Sequence, residues 1–81
     1  NPGMRPSTAL AQHRSRIREI ARLRHFSAVK VFGSTAHGLD TEGSDLDLLV
    51  EPTAQTTLFD LGALRSDLRD LLGIDVDLLT P

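Results

Sequence analysis

Cysteine is missing from all 81 residues, which excludes disulfides and thiolate metal centres and leaves any metal to oxygen or imidazole ligands. Tryptophan and tyrosine are missing too, and the aromatic content is three phenylalanines, too few to build a stacking platform for bases. No apolar run approaches the roughly 18 residues that span a bilayer, and no apolar secretory segment opens the chain. These absences lead to the expectation of a soluble, cytoplasmic protein with no membrane partner. One small domain over residues 1–81 is expected, of a size that buries only about 60% of the unfolded chain's surface. Asn1–Gly3, ahead of Met4, reads as an extraneous remnant and is left out of the fold.

Charge is nearly balanced at −2 but unevenly placed. Arg5, Arg14, Arg16, Arg18, Arg22, Arg24 and Lys30 precede almost every acid, whereas ten of the eleven acids lie from Asp40 onward. A basic side and an acidic side are expected. The arginines spread round their helix in a chain of acidic overall balance, which favours a solvated face or a docking surface for an acidic protein over direct nucleic-acid binding.

Ser7 reads as a helix cap, and Leu10, His13, Ile17, Ile20 and Arg24 recur at helical spacing behind it. Ser27–Gly33 alternates like a strand ended by glycine. The stretch STAHGLDTEG is too polar and glycine-punctuated for a regular element, apart from one helical turn at Ser34. Asp45–Pro52 is a second strand, with Leu46, Leu48 and Val50 on one face and Asp45, Asp47 and Leu49 on the other. Thr57 and Asp60 form a capping box ahead of Leu61, Leu64, Leu68, Leu71 and Leu72, and Gly73 stops that helix. A third strand lies in IDVDLLT, with Asp75 and Asp77 on one face. The order α-β-turn-β-α-β implies an α/β fold: a small mixed sheet of about three strands, helices packed on one face.

Two carboxylates in an apolar strand demand a reason. Asp45 and Asp47 project to the same side about 7 Å apart at the backbone, and a neighbouring third strand would bring Asp77 or Asp75 to the same place. Unit charges 4 Å apart repel by about 4 kcal/mol at an effective dielectric near 20. Splaying into water at a sheet edge, protonation, or a cation between them relieves this. Oxygen-only ligands favour Mg²⁺ or Mn²⁺, and paired divalent ions recur in phosphoryl and nucleotidyl transfer. A calcium loop starting at Asp40 fails because Asp45 stands where the sharp-turn glycine belongs. Gly33 and Ser34, separated from Asp45 by ten residues, form either an ordinary cap or a phosphate site. A triphosphate held at Ser34 and, through metal, at Asp45 and Asp47 accounts for both features at once.

GSTAHGLDTEGSDLDLLVE, with VDLLTP near the end, resembles the Gly-Ser, Asp-x-Asp and third-Asp signature of the DNA polymerase beta-like nucleotidyltransferases, specifically the minimal nucleotidyltransferases that act as antitoxins to HEPN-domain toxins. The resemblance runs from about Val29 to Pro81. It implies the nucleotidyltransferase fold, two Mg²⁺ ions and ATP as substrate, with Gly33 and Ser34 at the terminal phosphates and Asp45, Asp47 and Asp77 as catalytic metal ligands. Asp75 is the alternative third carboxylate, and His37 is the histidine nearest the implied phosphates. The acceptor it implies is a tyrosine hydroxyl of a HEPN ribonuclease toxin, inactivated by AMP. A non-catalytic antitoxin that covers its toxin is the alternative, and an aminoglycoside acceptor a further one, although such enzymes add a second domain. The helix with which the family usually continues after this strand is expected to be absent.

Overall fold

The computed structural model describes residues 5–33, 35–41 and 43–81. Its elements are α1 (Pro6–Leu23), β1 (Phe26–Phe32), β2 (Leu46–Pro52), α2 (Leu58–Leu72) and β3 (Val76–Leu79), the expected order. The sheet runs β1-β2-β3, with β1 antiparallel and β3 parallel to β2. It is therefore a mixed sheet, and the strand carrying the Asp-x-Asp is its middle one. The solvated edge strand considered from the sequence is overturned by that position.

Period-two alternation decides which face of β2 is buried. Leu46, Leu48 and Val50 are fully buried under the helices, together with Val76 of β3. Ile17, Ile20 and Ala21 of α1 and Leu64, Leu68 and Leu72 of α2 close the core from above. Among the described residues no helix packs on the opposite sheet face. Among the described residues no helix is long and apolar enough to cross a membrane.

α2 starts and stops as its sequence dictates. The Thr57 hydroxyl accepts the Asp60 backbone N–H, the Asp60 carboxylate accepts that of Thr57, and Gly73 ends the helix in the left-handed region at φ 70°. α1 departs from expectation. Pro6 occupies its first turn and Arg5 the N-cap position, with no side-chain cap of its own. Ser7 does not cap the helix; its backbone N–H donates to the Asp40 carboxylate at 2.8 Å. The cap thus comes from 33 residues away, from the β1–β2 connection, where no local pattern reveals it. The Arg5 guanidinium fixes the same residue, donating to the Asp40 carbonyl at 3.0 Å and its carboxylate at 3.3 Å.

Basic and acidic segments of the chain meet where the two helices pack. α1 and α2 lie next to each other, and Arg24 meets Asp67 at 2.8 Å across them. His25, at φ 66° in the turn after α1, reaches Asp60 at 3.1 Å, tying that turn to the start of α2.

Candidate functional site

The open sheet face is a lattice set by register. Phe32 of β1 pairs with Asp47 of β2, and Asp47 with Asp77 of β3, giving one row across all three strands. The next row is Lys30, Leu49 and Leu79. Cross-strand neighbours on one face come within side-chain reach, so Asp47 and Asp77 confront each other. The charge of Asp77 bears on the Asp47 carboxyl.

That confrontation is visible in the protonation of Asp47. Burial pushes its carboxyl above the ordinary value, and the negative charges of Asp77 and then Asp45 push it further. Asp45 stands exposed immediately before β2. It acts on Asp47 through its charge, but among the described residues no three carboxylates or imidazoles already close around one point. The donors are all oxygen, and the like-charged pair at the centre is the arrangement a hard divalent cation relieves. The site fits such an ion on both counts.

Asp75 takes another course. Its carboxylate lies 3.4 Å from Arg69, and its backbone carbonyl accepts the Leu46 N–H at 2.9 Å. It precedes β3, so Asp77 is the acid the strand pairing sets against Asp47.

Gly33 closes the upper end of the site. It lies at φ 73°, and a Cβ built there would stand 2.6 Å from Asp47 Oδ2. Glycine takes this backbone conformation without strain and leaves the Asp47 carboxylate where it is. The chain then turns through hydrogen bonds from the Ala36 N–H to the Gly33 carbonyl and from the Gly38 N–H to the Thr35 carbonyl, both 3.2 Å. Ser34, the second half of the Gly-Ser pair, lies outside the described residues. His37 is exposed in this turn. Thr35 is 7% exposed, and its hydroxyl has no partner among the described residues.

Two features escaped sequence reasoning. Asp40 is 2% exposed and anchors the connection that carries Gly33 to Asp45. Its acidity in a polar loop gave no sign of burial. Thr35 is likewise unmarked by any pattern. A groove of about 370 Å³ between α1 and α2, lined in part by Arg16, Ile20, Arg24 and Asp67, sits on the helical side and shares no residue with the acidic row.

Residues 11–81 match the family described as nucleotidyltransferase domain. A Methanocaldococcus jannaschii protein described as a "putative protein adenylyltransferase" is 35% identical over 71 residues, covering 88% of this chain and 69% of that one. A second, of the same description and organism, is 44% identical over 50 residues, and the match spans about half of its length, 54%. Among solved structures, one described as a "putative minimal nucleotidyltransferase" superposes with a TM-score of 0.73 at 39% identity, covering 88% of this chain and 76% of that one.

Proposed function

Because the chain belongs to the nucleotidyltransferase domain family and is a transferase, we propose that it moves AMP from ATP to a hydroxyl, and that the acceptor is a tyrosine of a cognate HEPN-domain toxin. The observation that carries the reading is the Asp47–Asp77 pair held across the two strands against the bare backbone of Gly33. The name shared by the curated relatives supports the adenylyl donor. Support for the toxin rests on the signature resemblance alone.

The acceptor oxygen bonds to the α-phosphorus as the bond from that phosphorus to the bridging oxygen breaks, and pyrophosphate leaves with the electron pair. Gly33 lets the polyphosphate approach the backbone at the end of β1, and the Ser34 hydroxyl binds its terminal oxygens. Asp77 orients the acceptor hydroxyl and takes its proton. Asp45, Asp47 and Asp77 would hold Mg²⁺, which when bound neutralises charge on the entering and leaving oxygens. Ser34 is a ligand in this scheme and forms no covalent bond.

Co-incubation with the cognate toxin, ATP and Mg²⁺, followed by intact mass, tests the reading. A gain of one or more AMP units on the toxin supports it. An unchanged mass with a stable complex replaces it with neutralisation by binding. Pyrophosphate release that persists in both Asp45→Asn and Asp47→Asn removes the assigned site.

A further inference from the structure

The open sheet face continues past the acids, and its next row sets the direction from which an acceptor arrives. In-line displacement needs the entering and leaving oxygens on opposite sides of the phosphorus. Gly33, where the leaving pyrophosphate is placed, lies beyond Phe32 at one end of the Phe32–Asp47–Asp77 row. The opposite side of that row is occupied by Lys30, Leu49 and Leu79. With pyrophosphate leaving at Gly33 as proposed, an acceptor that enters on the opposite side and reaches Asp77 lies over this second row.

Leu49 and Leu79 are paired neighbours on β2 and β3. Leu49 is half-buried, and Leu79 is 52% exposed, an apolar side chain turned to solvent on the face that carries the acids. Successive same-face positions on a strand stand about 7 Å apart. A phenol spans such a step: its ring rests on the leucines and its hydroxyl meets Asp77. A serine or threonine hydroxyl, one bond beyond Cβ, must bring its own backbone against the acids and leaves the leucines uncovered.

We infer that Leu49 and Leu79 are the positioning residues that select a phenolic acceptor, by seating its ring one row below the reacting hydroxyl. The inference rests on the nucleotidyl-transfer reading above and names the side chains that fix its acceptor class.

The test uses the 81-residue chain with Mg²⁺, ATP and two synthetic peptides that differ only in a central tyrosine or serine. The tyrosine peptide is expected to exceed the serine peptide in kcat/KM by about tenfold or more, the range a single apolar contact supplies. Leu79→Ser reduces that ratio to near one, with the loss in the tyrosine peptide's KM, and Leu79→Met restores it. Phe59→Ser, on the exposed start of α2 away from this face, leaves the ratio as it was. Equal use of the two peptides, a ratio indifferent to Leu79→Ser, loss of the ratio in Phe59→Ser, or no transfer to either peptide overturns the inference. Calorimetric Mg-ATP binding that disappears in Asp47→Asn shows in each of these cases that the nucleotide site stands. Where wild type binds no Mg-ATP, both readings fall together.

Discussion

Asp47 is ionised at a cost in the metal-free protein, because burial and two neighbouring carboxylates favour its protonated form. The folded state therefore holds its proton to higher pH than the unfolded chain, where the value is the ordinary one near 3.9. Stability contributed by the proton is complete below that value and is lost as pH rises through the raised folded value. Asp47→Asn is accordingly expected to raise Tm by a few degrees at pH 7 without metal, with the difference closing below about pH 4. A Tm lowered by the change at pH 7 contradicts the geometry. Gly33→Ala moves the other way. Left-handed backbone costs a side-chain-bearing residue roughly 1–2 kcal/mol, and the new methyl forces the Asp47 carboxylate aside. Lower Tm and a loss of Mg-ATP affinity of at least about tenfold are expected, by thermal melts and calorimetry.

The elements differ in how far their own residues specify them. α2 is bounded by Thr57, Asp60 and Gly73, all within its own stretch, and its limits were readable from the sequence. α1 begins where Asp40 meets it, and a carboxylate brought by the chain's path has no local signature, so the start was misplaced onto Ser7. The same distinction separates Asp45 and Asp47, visible as a pattern, from the choice between Asp75 and Asp77, which waits on the parallel pairing of two strands separated by a helix. The Ser7 N–H holds the Asp40 carboxyl below its usual value against opposing burial, with help from the Ser7 hydroxyl and Arg5. This stabilisation is present above the unfolded value and disappears as pH falls through the depressed folded one. Asp40→Ala is expected to lower Tm by several degrees at pH 7 and progressively less in acid, followed by circular dichroism.

For the whole molecule the margin is thin. A chain of 81 residues has a total stability of roughly 4–12 kcal/mol, supplied by one layer of contact between two helices and three strands. Leu48 lies at the centre of that layer with no exposed surface. Leu48→Ala should remove about 2–5 kcal/mol, enough to halve the urea midpoint or unfold the domain at 37 °C. A midpoint shifted by less than a tenth places the core elsewhere.

β2 is the middle strand, but β3 is an edge strand four residues long. The two facing acids therefore differ in permanence: one rides on the middle strand and the other on a short strand that pairs on one side only among the described residues. Edge segments open locally at a lower free energy than the core they adjoin. Amides of Val76–Leu79 should exchange with deuterium sooner than those of Leu46–Val50. Each fraying event would take Asp77 out of register with Asp47, and if Asp47 and Asp77 hold Mg-ATP as proposed, adding it would slow that exchange.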